Sequence, residues 1–412
     1  MESVFSWVDF AEEDKNKMHE LINSLNKPDT RDEIGISPIR DAISNLLFPG
    51  TTTIQTRIKY FLFVPWLYKK LEEEKLYGQD AAERIRELEI TLIKSLKENN
   101  SEATGIIGKE AGAAISRTPA DISWSGLKKW GILKVDFSRR DFNDLLKYYY
   151  KSSAEDFDLA AEYYLENIDL YRDQIQLWDQ NLIKSPPDFP QKADLNLRPR
   201  EADYLREKIK KSCPQTLLSV IVDLPYSDVN YVWEHEYLYQ IEDHNLEKEI
   251  EHAQNFSQLI NGAQLLYNLM LAQKIEGREE REEEFLNQIQ KWKKLIANQK
   301  YSLQNWDLND FWGITQVSDL RLRSFVENWY KICLREDYLE NIESSSTARK
   351  IIKDREKWTK GKRARLFNQE YLEKWGGASA VSMLDYRWGI VNNFIKDLKA
   401  AEDRSESNAQ TR

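Results

Sequence analysis

Cysteine is nearly missing from this chain: Cys213 and Cys333 stand far apart, with no CxxC pair. That excludes a disulfide framework and a thiolate metal site, and it predicts a reducing, cytoplasmic setting. With 15 glycines and 11 prolines in 412 residues, and few alternating β-branched stretches, the chain lacks the punctuation of a sandwich or barrel. Long apolar runs are missing too. A spanning helix needs about 20 mostly apolar residues, whereas the longest run, Tyr60 to Tyr68, has nine. The first residues, MESVFSWVDFAEEDKNK, place acids where an export signal needs a basic start and an apolar stretch. Neither export nor membrane association is expected.

Catalytic signatures are equally scarce. No GxSxG elbow, kinase set, Rossmann fingerprint or ordered Ser/His/Asp triad occurs. In GIIGKEAGAAI (105–115), Lys109 is followed by Glu110 and position 103 is not glycine, which rejects a phosphate loop; the GxxG spacing of a KH loop is also out of place. Of the four histidines, His235, His244 and His252 lie close together in sequence, but Tyr239 occupies the second histidine position of an HExxH motif. Zinc requires three or four ligands on converging elements. No cofactor and no metal is therefore predicted.

What is present is a densely charged, aromatic-rich chain. Charged residues reach 31%, apolar residues 41%, and 13 Trp, 20 Tyr and 15 Phe supply much of the burial. The length calls for more than one core. A net charge of -10 opposes adhesion of the whole molecule to nucleic acid, so any such contact has to be regional.

Many i, i+3, i+4 patterns predict a mainly α, multi-helical fold of two packed units with at most a few short strands. Helices are expected at 10–26, from Pro38 through Ile39, Ile43, Leu46 and Leu47, at 71–97, and as a pair within 139–184. Near 101–137, small residues, Pro119 and then Trp124, Leu127, Trp130 and Ile132 suit a helix-turn-helix or winged-helix element, with ILKVDF as a short strand. LLSVIVDLP reads as a strand or a buried helix, and EGREEREEE (276–284) as a solvated acidic stretch. SPPDFPQKADLNLRP (185–199), with four prolines, reads as a linker between an N-terminal domain (1–184) and a C-terminal domain (200–402). The tail, 403–412, has no apolar anchor and is expected to be disordered.

Two regions carry the chemistry worth testing. In LLFPGTTTIQTRIKYFLFVPW (46–66), Thr52 and Gln55 have capping-box spacing, which predicts a helix N-terminus there. Thr51, Thr52, Thr53 and Arg57 then either hold an anion at the positive helix end or satisfy local amides and a carboxylate. Upstream, TRDEIGISPIRD brings Arg31, Asp32, Glu33, Arg40 and Asp41 close together. Ion pairing is the default for such a cluster; a divalent-cation site on Asp32, Glu33 and Asp41 is the alternative, and would serve a metal-dependent hydrolase or nuclease.

The second region, 345–366, carries nine basic residues: Arg349, Lys350, Lys353, Arg355, Lys357, Lys360, Lys362, Arg363 and Arg365, with Trp358 among them. Lysine and arginine neutralise phosphates and an indole can stack on a base, so this is the candidate DNA contact. The competing reading is a solvated helix with Trp358 buried and the bases paired to acids.

FSWVDF, TRDEIGISPIRD and LLFPGTTTIQTRIKYFLFVPW together resemble the N-terminal signature of an uncharacterised prokaryotic domain-of-unknown-function family. PADISWSGLKKWGIL and LDYRWGIVNNFIKDL are similar to its weaker motifs. Members of such families tend to be encoded in phage-defence islands, so the resemblance implies an accessory, nonenzymatic role in antiviral defence, with a protein partner in that assembly. It carries no reaction and no catalytic residues. A purely structural protein-protein adaptor is the remaining alternative.

Overall fold

A computed structural model describes residues 32–99, 104–150 and 176–410. The helix expected at 10–26, Arg31, and most of the second helix expected within 139–184 lie outside these residues. Among them the fold is helical, with no strand or sheet; β pairing is limited to an isolated bridge between Leu133 and Trp178.

The helices, in chain order, are α1 (Ser37–Leu47), α2 (Tyr60–Glu73), α3 (Gly78–Asn99), α4 (Pro119–Lys129), α5 (Arg139–Tyr150), α6 (Pro199–Ser212), α7 (Leu217–Ile221), α8 (His244–Ala272), α9 (Glu279–Asn298), α10 (Lys300–Gln304), α11 (Leu308–Thr315), α12 (Leu320–Cys333), α13 (Glu336–Glu340), α14 (Ser346–Lys360), α15 (Gln369–Glu373) and α16 (Trp388–Gln410). They group into two compact units. The first takes described residues up to Ile43 together with Glu251–Leu384; the second takes those of Ser44–Ile250 and those from Asp385 onward.

The second unit is built on α2. Its sequence, YFLFVPWLYKKLEE, is apolar all round through its first nine residues, and every residue from Tyr60 to Tyr68 is buried. A helix of that kind must be surrounded. Phe61 stacks on Trp130 with ring centroids 3.9 Å apart, and Tyr68, Trp124, Phe142 and Trp178 form a cluster of tilted and edge-on pairs at 5.2–6.3 Å. Pro65 lies inside α2 without ending it. The single helix expected over 71–97 is interrupted, because Lys75 and Gly78 take positive φ between α2 and α3.

The first unit is organised around the part of α8 from residue 251 onward, where apolar Phe256, Leu259, Ile260, Leu266 and Leu269 are buried together with polar Asn261, Gln264 and Asn268. Those amides have a purpose. Asn268 Nδ2 donates to the Ser379 carbonyl (2.7 Å) while its Oδ1 accepts from Ser379 N (2.8 Å), Asn261 Nδ2 donates to the Val381 carbonyl (2.8 Å), and Ser257 Oγ donates to the Leu384 carbonyl (3.0 Å). The irregular segment 379–384 thus has buried backbone groups satisfied by side chains in place of a sheet partner. Trp292 and Trp329 donate their indole N–H groups to the carbonyls of Gln258 and Leu259, at 2.8 and 2.9 Å.

Several expectations are corrected. Near 101–137 only α4 is a full helix; Gly105, Gly108 and Gly112 take positive φ and hold the preceding stretch in turns and one 3₁₀ turn, so the helix pair of a helix-turn-helix does not form. Of the two readings of LLSVIVDLP, the buried helix holds for its first five residues, which form α7, and the strand does not. Segment 185–199 does not divide two domains: it belongs to the second unit, where Ala193 N donates to Ser95 Oγ (2.8 Å) and the Asn196 carbonyl accepts from Lys59 Nζ (2.5 Å). Its prolines supply fixed turns within packed structure. The helix α16 continues to Gln410 through the tail expected to be disordered. Each added helical residue gains a hydrogen bond once the turn before it exists, so a buried Trp388–Ala401 stretch can carry a polar extension.

Gly262 in α8 faces the Trp292 indole, and a methyl group at that position would lie 2.1 Å from Trp292 Cζ2. Gly262→Ala is expected to lower stability by about 1–3 kcal/mol through overpacking, despite better helix propensity; thermal unfolding checks this. In the second unit Glu89 is buried, with Oε1 accepting from Ala120 N at 2.7 Å, and burial pushes its carboxyl up to about 7 from an ordinary 4.5. The folded protein then keeps a proton that the unfolded chain has released, so stability falls as pH rises from about 4.5 to 7. Glu89→Gln should remove that slope, leaving the variant ahead of the natural protein by more at pH 8 than at pH 5 in the same melting experiment.

Candidate nucleic-acid interface

The helix α14 begins at Ser345, whose Oγ accepts from Ala348 N at 3.3 Å, and ends at Gly361, which has positive φ. Its buried stripe is Ala348, Ile352, Arg355 and Glu356, an i, i+4, i+7, i+8 pattern. At about 100° per residue, Lys350, Lys353 and Lys357 fall opposite that stripe, within a sector of about 60°. All three are exposed, and the exposed Lys362 and Arg363 follow on the next turn.

The inward residues of the same segment do something else. The Glu356 carboxylate, fully buried, accepts from Tyr267 Oη (2.7 Å), Arg365 N (2.7 Å) and Leu366 N (3.1 Å). Arg355 donates from Nε to the Ile34 carbonyl and from Nη2 to the Gly35 carbonyl, both at 2.7 Å. Arg365 pairs with Glu33 at 2.8 Å and donates to Ser379 Oγ, and Lys360 reaches Glu33 at 3.3 Å. Arg349 donates to the Glu343 carbonyl (2.7 Å) and to Gln273 Oε1 (2.8 Å). Arg355 and Arg365 are buried, and Arg349 and Lys360 are half-buried in structural contacts; these four anchor the surface while the other five basic residues face outward.

Trp358 is 57% exposed, contrary to the buried alternative. The Arg321 guanidinium carbon lies 3.3 Å from the centre of its ring, and the Lys357 amine lies 5.2 Å from the exposed Phe367 ring. Arg321, at the start of α12, is the member of this surface that sequence reasoning missed. Nothing local marks it: it stands 37 positions before Trp358, in a helix whose buried face alone is legible.

The N-terminal candidates separate. Asp32 caps α1, accepting from Ile36 N (2.8 Å) and Ser37 N (2.6 Å). Glu33 is held by Arg365 and Lys360, and Arg40 pairs with the adjacent Asp41 at 3.0 Å. Each of the three carboxylates therefore already has a partner of its own, and among the described residues no group of three His, Cys, Asp or Glu is placed to hold a metal ion.

In the second unit no helix starts at Thr52. Residues 51–59 are turns and α2 begins at Tyr60, so the helix end invoked for anion binding is not there. The residues fold locally instead: Thr51 Oγ1 donates to the Phe48 carbonyl (2.7 Å), Thr52 N to Gln55 Oε1 (3.1 Å) and Gln55 Nε2 to the Gly50 carbonyl (3.2 Å), while Thr53 is exposed. Such side-chain bonds compete with helix formation. Arg57 makes a bidentate pair with Asp397 of α16, its Nε 2.9 Å from Oδ2 and its Nη2 2.6 Å from Oδ1. Burial lifts the Asp397 carboxyl above its ordinary value, and the Arg57 fork and Ile58 N–H work against that.

A family model matches residues 2–402. The chain belongs to DUF6361, a family of unknown function. No curated protein and no solved structure matches it. In this DUF6361 chain, stretches far apart in sequence meet in the second unit. Trp130 Nε1 donates to the Pro49 carbonyl (2.9 Å), Arg387 Nη1 donates to the Thr51 carbonyl (2.7 Å), and Phe394 meets both Phe61 and Trp130 edge-on. FPGTTTIQTR and the stretches around 119–133 and 385–398 are thus parts of one packed assembly. The same unit has a cleft of about 800 Å³ over the buried Lys59–Glu201 pair (3.1 Å), bordered by Arg198, Lys192 and Arg404.

The Arg57 pair makes a specific demand of DUF6361 stability. Arg57→Ala leaves the buried Asp397 carboxylate with the Ile58 N–H but without its ion pair, and should cost about 3–5 kcal/mol. Arg57→Lys keeps the charge but not the planar fork, and is expected to recover only part of the loss; denaturant titration of the three proteins checks the order.

Proposed function

We propose that this DUF6361 chain is a nonenzymatic accessory of prokaryotic antiviral defence whose first unit contacts nucleic acid through α14. One observation carries the reading: Lys350, Lys353 and Lys357 form an exposed cationic face opposite the buried stripe, in a chain whose net charge is -10. Three lysines along about two turns of helix can neutralise successive phosphates and release their counterions. The chain's overall charge opposes adhesion of the molecule as a whole, which favours a regional contact such as this face. The defence setting rests on the sequence resemblance, and the contact rests on the placement of the lysines.

The test is binding of end-labelled oligonucleotides at about 50 mM and about 300 mM salt, where phosphate contacts predict a steep loss of affinity. Lys350→Ala, Lys353→Ala and Lys357→Ala combined should weaken binding and reduce the salt slope by about two to three units. These side chains project away from the buried stripe, so an unchanged melting temperature is expected alongside. Absence of binding at the lower salt, or a triple variant that binds as well as the natural protein, overturns the proposal.

A further inference from the structure

We infer that the α14 surface takes single-stranded nucleic acid, with an unpaired base laid against the Trp358 and Arg321 pair. This rests on the reading of α14 as a phosphate-contacting face and goes on to say what reaches it. An indole that is 57% exposed beside a lysine row presents a large apolar plane to water. The Arg321 guanidinium, 3.3 Å from the ring centre, adds a second flat, cationic layer to that plane. Beside them lies a groove of about 290 Å³ between α12 and α14, bordered by Ser324, Phe325, Asn328, Ile351 and Asp354. Ser324 and Asn328 are exposed and linked through Asn328 Nδ2 and Ser324 Oγ at 3.3 Å, so hydroxyl and amide groups stand ready at the edge of the groove.

These features match the two requirements of an unpaired strand. Its backbone needs cations, which Lys350, Lys353 and Lys357 supply, and its bases gain by stacking on an aromatic or guanidinium plane. A duplex satisfies only the first, because its bases are stacked and paired inside. Trp358 follows Lys357 directly, so a strand tracking the lysines has the indole about a quarter-turn of the helix away. Every base has a π-face, so the contact is tolerant of sequence, and Ser324, Asn328 and Asp354 offer donors and acceptors to whichever base edge enters.

The experiment measures fluorescence anisotropy with the full chain and three labelled ligands of equal length: single-stranded DNA, single-stranded RNA and duplex DNA. At least one single strand is expected to bind more tightly than the duplex, and the better of the two identifies the sugar preferred. Trp358→Ala should weaken single-strand binding by about 5- to 100-fold while leaving duplex binding unchanged, and Trp358→Phe should retain most of the affinity. Circular dichroism of both variants is expected to match the natural protein. Duplex binding as tight as that of both single strands, or a Trp358→Ala variant that binds single strands normally, overturns the base contact. If the triple lysine variant still loses binding in that case, the phosphate reading survives alone. If no ligand binds, or the lysine variant is unaffected, both fall.

Discussion

Taking a carboxyl group out of water is tolerable only when other groups replace its hydration, and the first unit buries one such group, Glu356. Its carboxylate collects the Tyr267 hydroxyl and two consecutive backbone N–H groups, and its neighbour Arg355 reaches the Ile34 and Gly35 carbonyls. With those two residues committed inward, the rotation of α14 about its own axis is decided. Lys350, Lys353 and Lys357 face outward as a consequence, and Trp358 comes to lie beside α12. The cationic face is therefore a product of the buried pair, and a change that freed Glu356 would turn the lysines as well as loosen the core.

The second unit obeys the same constraint through Arg57 and Asp397, but there the surrounding material is aromatic. Trp130 and Phe394 pack on Phe61 of α2, while Trp130, Arg387 and Gln55 satisfy the carbonyls of the PGT turn or its neighbours. Gly50 permits this, since its positive φ and the 2.5 Å approach of Trp130 Nε1 to where a Cβ would stand leave no room for a side chain. A turn so tightly held needs no ligand to order it.

Helical periodicity made the helical class and several N-terminal elements legible: the stripes of α1 and α3 could be read from their apolar spacing, and the acidic stretch does open α9 with exposed glutamates. Local rules failed where side chains outcompeted them. Thr52 and Gln55 have capping-box spacing and even make half of its bonds, yet Gln55 spends its amide on Gly50 and the helix waits until Tyr60. Proline density at 185–199 suggested a linker, because composition cannot show that Asn196 and Ala193 are tied to Lys59 and Ser95. In the candidate interface the basic segment was visible, but its division into anchors and exposed charges was not. Arg355 and Lys353 are two residues apart and differ only in which way the helix turns them, and Arg321 belongs to another helix altogether.

The Arg57–Asp397 pair joins residues separated by 340 positions. At synthesis rates of about 5–20 residues per second, roughly 20–70 s pass between the emergence of the arginine and that of its carboxylate. Throughout that interval α2, apolar on every side, has no α16 to close over it. The nascent chain therefore carries an incomplete core, with the FLFVPW stretch uncovered on that side, until α16 emerges. The ion pair acts in this sense as a signal of completion for the second unit, which can reach its final packing only after α16 has been made.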